Sequence, residues 1–122
     1  MKFIGISLIT EDVKKLVSFY ERIFGVKSEG NEIHASMHVH GLDLSVYSRK
    51  ASIEDMKFSY SADAGCGYTT LLFLVEDVDY EFEKLKNEHV DFLTVPTEYP
   101  WGTKAFHFKD PDGNIIDFVQ RL

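Results

Sequence analysis

Apolar residues recur along this chain at two spacings. In Val13–Phe24 they fall at Val13, Leu16, Val17, Tyr20 and Phe24, three or four apart, the stripe of a helix with one buried side. Thr10 or Asp12 stands where a cap belongs, and Gly25 stands where such a helix stops. Elsewhere the period is two. Residues 32–39 set Ile33, Ala35, Met37 and Val39 against His34, Ser36 and His38. Leu42–Ser48 sets Leu42, Leu44 and Val46 against Asp43, Ser45 and Tyr47. His40-Gly41 between them has the composition of a tight hairpin turn. Residues 3–8 read as a strand before the helix, and a short strand is expected near residues 26–29.

The plan then recurs. Residues 69–74 read as a strand, and Glu76-Asp77-Val78, the same tripeptide as at 11–13, leads into a helix ending near Glu88. A short strand is expected within 92–96. Residues 105–108 and 115–119 form a hairpin around Asp110-Pro111-Asp112-Gly113-Asn114, where Pro111 and Gly113 fit a turn. The order β-α-β-β-β thus occurs twice, a sign of structural duplication. The first module covers about residues 1–48 and the second about 69–122. Residues 49–68 are rich in Ser, Ala and Gly, with at most one helical turn around 53–58. They read as a linker or as a flap over a site. A ferredoxin-like β-α-β-β-α-β plan competes, but the segment from Gly25 to Thr70 holds more strands than it needs.

Composition narrows the class. The 122 residues are one domain's worth, 44% hydrophobic and 27% charged, so the expectation is a single folded domain. One cysteine, Cys66, excludes an intrachain disulfide and a Cys-only zinc site. The net charge of −7 argues against nucleic acid as a partner. It is also lopsided: residues 1–61 balance eight basic against eight acidic side chains, whereas 62–122 hold five against twelve. No apolar run reaches the roughly 18 residues of a membrane span. The apolar start ends at Glu11-Asp12 with no small-x-small cleavage site, so a cytoplasmic protein is expected.

Glu11-Asp12-Val13 running to Ser18-Phe19-Tyr20-Glu21 and Phe24-Gly25-Val26 resembles the vicinal oxygen chelate superfamily. So do Trp101-Gly102-Thr103 and the run from Phe108 through Asp110-Pro111-Asp112-Gly113-Asn114 to Phe118. This is the glyoxalase, bleomycin-resistance and extradiol-dioxygenase superfamily. The resemblance implies an α+β fold of two tandem β-α-β-β-β modules whose eight strands make a curled mixed sheet around a concave ligand cup. It also implies a homodimer. The apolar faces, with Ile33 and Leu42 among them, would pack under the helices, and the mixed faces would line the cup.

The resemblance further implies four metal-ligand positions, usually His and Glu. They fall here on Gly5, Ser45, Thr70 and Asp117, of which only Asp117 is a donor that holds a divalent ion. No cofactor is therefore expected. The less favoured alternative is a divalent metal on a rebuilt site of His38, His107 and Asp117. Ligand-binding candidates are Asp117, Trp101, His38, His107, Ser45, Tyr47, Thr70 and Ser7, with Trp101 at the rim and Tyr60 and Tyr68 as further wall residues. Either Trp101 stacks on a planar or cationic ligand, or its ring plugs a gap beside Phe92 or Phe106. His40 and His89 read as surface residues and Cys66 as incidental. Two functions compete. One is a metal-free binding protein of the bleomycin-resistance type, sequestering a cationic or aromatic small molecule. The other is a glyoxalase-like lyase or isomerase using the rebuilt site, or Asp117, alone or paired with Asp43, as acid and base.

Overall fold

A computed structural model describes residues 2–60 and 69–122. Cys66 and Tyr68 lie outside the described residues. The chain divides into two compact units, Met1–Ala64 and Gly65–Leu122.

The first unit runs β1 (Gly5–Thr10), α1 (Val13–Phe24), β2 (Glu29–Gly30), β3 (His34–Val39), β4 (Leu42–Ser48) and α2 (Arg49–Glu54). Its sheet is ordered β1-β4-β3-β2, with β1 parallel to β4 and the other pairs antiparallel. Asp12 caps α1 by accepting from the Lys15 N–H at 3.0 Å, and Gly25 ends it in the left-handed region at φ 63°. The α1 stripe of Val13, Leu16, Val17, Tyr20 and Ile23 is buried together with Ala35, Met37, Val39, Leu44 and Val46. Each Val, Leu, Ile or Met side chain among them contributes about 1.5–3 kcal/mol by leaving water.

The second unit repeats the plan: β5 (Thr70–Leu74), α3 (Val78–Leu85) with a 3-10 turn (Lys86–Glu88), β6 (Asp91–Phe92), β7 (Thr97–Tyr99), β8 (Thr103–Lys109) and β9 (Ile115–Arg121). The sheet is ordered β5-β9-β8-β6, with β7 also on β8. Asp77 caps α3 as Asp12 caps α1, at 3.0 Å from the Tyr80 N–H. The repeated Glu-Asp-Val is therefore a cap followed by a buried first-turn valine, Val13 or Val78. Phe106, Phe108, Ile116 and Phe118 form the aromatic core.

The α+β class and the doubled β-α-β-β-β order hold, carried by two mixed sheets of four and five strands. The strand expected within 92–96 is shorter and earlier, as β6 (Asp91–Phe92); residues 93–96 form no strand, and the fifth strand is β7 (Thr97–Tyr99) beyond them. Three local expectations change. The helix after β4 starts at Arg49, because the Ser48 hydroxyl accepts from the Ala51 N–H at 3.2 Å and caps it. Ile33 is 49% exposed, because it precedes β3 in the Asn31 turn rather than joining the buried face. Leu42 is 45% exposed, because it follows the turn residue Gly41 directly.

Candidate functional site

The face of each sheet turned away from its buried side carries the polar residues in rows set by strand register. In the first unit Ser7, Ser45 and Ser36 stand side by side across β1, β4 and β3. The next row is Ile9, Tyr47 and His34, with the last two rings 5.4 Å apart. Ser7 and Ser45 floor a cavity of about 580 Å³. Tyr47, His34, Ile9, Ile33 and Asn31 also line it, and Met56 and Phe58 add a wall from the segment after α2. Among the described residues the lining holds hydroxyls, one carboxamide and one imidazole, and no carboxylate, ammonium or guanidinium. Such a space is apolar and aromatic with a few hydrogen-bonding groups, the usual make-up of a small-molecule site.

A second depression of about 630 Å³ lies on the helical side, beside α1 and β2. Its Glu21 carboxylate is already engaged, accepting from the Ser28 hydroxyl at 2.5 Å and the Ser28 N–H at 3.1 Å.

The second unit places different chemistry on the corresponding row. Leu72, Asp117 and His107 stand side by side across β5, β9 and β8. His107 Nε2 is 3.6 Å from Asp117 Oδ2, while Nδ1 is 2.8 Å from the Thr94 hydroxyl. The same hydroxyl oxygen accepts from the His107 N–H at 2.9 Å. Asp117 is only 16% exposed, and its Oδ1 is buried without a hydrogen-bond partner. Burial pushes its carboxyl above the ordinary aspartate value, and the neighbouring His107 partly offsets this.

The candidates therefore separate. Ser7, Ser45 and Tyr47 come together in the first unit's cavity, and Asp117 and His107 come together in the second unit. His38 is exposed and held by Asp43 at 3.0 Å, which also occupies the carboxylate expected to partner Asp117 in acid–base work. Thr70 is exposed on β5 and pairs in register with Ile115, not with Asp117. Trp101 is 71% exposed and lies flat on Tyr99 at 4.7 Å, so it plugs no gap beside Phe92 or Phe106. Sequence reasoning missed Thr94, Asn31, Met56 and Phe58. The last two were visible as apolar residues inside a stretch otherwise rich in small polar ones, whereas nothing local marks Thr94.

The metal positions implied by the resemblance do not fit a divalent ion. Beyond the loss of donors, a Cβ on Gly5 would run into the backbone carbonyl of Asp43, so the first-strand position has no room for any side chain. Among the described residues no group of three or more His, Cys, Asp or Glu side chains converges to hold a metal.

Two capped helices, each packed with a mixed sheet whose hairpin turns on a positive-φ glycine, define a duplicated α+β scaffold. A model of the Glyoxalase/Bleomycin resistance protein/Dioxygenase superfamily matches residues 2–118, and the chain belongs to that superfamily. It is 30% identical to the uncharacterized protein YraH of Bacillus subtilis (strain 168) over 129 residues, covering all of both chains. A glyoxalase/bleomycin resistance protein/dioxygenase from Nocardioides shares the fold at a TM-score of 0.87 and 20% identity, over 100% of this chain and 84% of that one. A glyoxalase-related enzyme from Fulvimarina pelagi does so at 0.83 and 20%, over 99% and 88%. No helix among the described residues is long and apolar enough to cross a membrane.

Proposed function

We propose that this protein binds a small, flat, largely uncharged aromatic molecule without a metal, in the cavity of its first unit. The carrying observation is the composition of that cavity. Tyr47 and Phe58 offer aromatic rings, Ile9, Ile33 and Met56 offer apolar contact, and Ser7, Ser45 and His34 offer hydrogen-bonding groups, with no carboxylate, ammonium or guanidinium among the described lining residues. A charged ligand would have to surrender its hydration there without a partner, which is costly. The homodimer and the cytoplasmic setting belong to the same proposal.

The test is a thermal-shift screen of neutral planar aromatics, repeated on Tyr47→Ala. A ligand at about 100 times its dissociation constant stabilises by about 2.7 kcal/mol. A binder whose effect disappears in Tyr47→Ala supports the reading. A screen with no binder, or one unaffected by Tyr47→Ala, rejects it.

A second reading is favoured by one specific arrangement. Asp117 is mostly buried, with its carboxyl pushed up by that burial, next to an imidazole oriented by Thr94. Such a pair can take and return a proton in a lyase or isomerase step. Turnover of a carbonyl substrate that Asp117→Asn abolishes and Ser45→Ala spares would favour this reading over simple binding.

A further inference from the structure

We propose that Tyr60 is a positioning residue for the first unit's cavity. Together with Ser52 and Arg49 it latches the 55–60 segment so that Met56 and Phe58 form a wall, and the state of this latch sets how tightly a flat ligand is held. The proposal rests on the reading of that cavity as the ligand site.

The segment does not hold its path by local preference. After α2 the chain reverses through Lys57, a non-glycine residue in the left-handed region at φ 60°. That conformation is unfavourable for an L residue by about 1–2 kcal/mol. Ties from elsewhere must maintain it. The Lys57 ammonium donates to the Glu54 carbonyl at 2.6 Å, and the Phe58 N–H donates to the Ser52 carbonyl at 3.1 Å.

Beyond Phe58 the ties converge on Tyr60. The Ser52 hydroxyl is fully buried and donates to the Arg49 carbonyl at 2.7 Å. Its single proton is thereby used, so the contact at 2.8 Å to the Tyr60 hydroxyl has the tyrosine as donor. The Arg49 guanidinium lies over the Tyr60 ring at 5.0 Å and is itself held by Glu11 at 3.4 Å. Phe58 meets the Tyr60 ring edge-on at 6.2 Å. Anchoring Tyr60 thus fixes Phe58 directly, and the reversal at Lys57 carries Met56 with it. Without the latch, both side chains of this wall hang on a strained turn.

If Tyr60 were mere packing, removing its hydroxyl would leave the wall in place. The experiment compares the parent with Tyr60→Phe and, as a second variant, Ser52→Ala. Methionine methyl NMR without ligand is the first readout. Met37, in the buried core, reports general damage, and Met56 reports the wall. The Met56 resonance is expected to shift or broaden in both variants while that of Met37 stays. Binding of the neutral naphthalene dye prodan is the second readout. Its affinity is expected to fall roughly fivefold in Tyr60→Phe, the equivalent of one neutral hydrogen bond, mostly through faster release. Unchanged Met56 resonances and prodan affinity in both variants overturn the proposal, as does a joint change of Met56 and Met37. Tyr47→Ala separates the two claims. If it leaves prodan binding intact, the cavity reading fails, while the ligand-free Met56 spectra still decide the latch.

Discussion

Replacing Asp117 by Asn is expected to stabilise the protein at neutral pH and to flatten its dependence on pH. The carboxylate is mostly buried, one of its oxygens accepts no hydrogen bond, and the compensating imidazole stands at 3.6 Å, beyond hydrogen-bonding reach. A buried group deprived of its partner costs about 1–3 kcal/mol, and more when charged. The residual exposure and the neighbouring His107 return part of this. Asn keeps the shape and one orphaned oxygen but removes the charge, so the net gain falls at the lower end, about 1 kcal/mol. With an unfolding entropy of about 2.1 cal/mol/K per residue, that raises the melting temperature by about 4 °C for a chain of this length.

The sign of the pH effect follows from linkage. Because burial raises the folded carboxyl above the ordinary value of about 3.9, the native state keeps this proton after the unfolded state has lost it. Unfolding therefore releases protons between those two values. The parent loses stability as pH rises through that window and does not regain it above. Other acidic groups titrate in the same range, but they are common to both proteins, so the difference between the two stability curves isolates Asp117. Urea melts followed by Trp101 fluorescence at pH 4 through 8 measure it. A difference that stays flat, or a variant less stable than the parent at pH 7, refutes the reasoning.

Other substitutions test neighbouring parts of the structure. Gly5→His, which would return an imidazole to the first-strand position, is expected to cost about 1–3 kcal/mol by pushing against the Asp43 carbonyl and to create no zinc site. Urea melts and a zinc titration check this, and a variant as stable as the parent contradicts it. Asp110→Ala removes a buried side chain that accepts from the Asp112 N–H, the Asn114 N–H and the Asn114 carboxamide in a half-exposed turn. A loss of about 3 kcal/mol is expected by chemical denaturation, and a loss below about 1 kcal/mol would mean that the turn holds without it.

What could be read in advance was what local chemistry decides. Asp12 and Asp77 cap helices because a short carboxylate reaches the third amide of the turn, a relation contained within four residues. Gly113 marks its turn because its φ of 87° suits glycine, and His40 at 43° with Gly41 at 91° completes the other hairpin. Where the reading slipped, a neighbour outside the pattern had decided the outcome. Ser48 completes the alternation of β4 and also caps α2, and only the second role moves the helix start to Arg49. Ile33 matches the apolar phase of β3, but the Asn31 carboxamide accepts from its N–H and holds it in a turn. At the sites the deciding contacts are distant in sequence: Thr94 orients His107, and Tyr60 ties to Ser52 across a strained reversal.

The duplication explains why the fold was easier to read than the chemistry. Ser7, Ser45 and Ser36 occupy the row that Leu72, Asp117 and His107 occupy in the second unit. One strand position away, the buried faces keep apolar residues in both copies, with Leu44 and Val46 answering to Ile116 and Phe118. Packing constrains that inner face, since a polar side chain there would lose its hydrogen bonds to water. The opposite face is less uniformly buried, with Ser7 exposed and Ser36 and Ser45 half-buried, so it tolerates polar side chains, although Asp117 still pays for its burial. There the two copies have drifted to unlike chemistry, three hydroxyls in one and a carboxylate–imidazole pair beside a leucine in the other. Periodicity identifies which face is free to change, but register alone decides which changed residues meet.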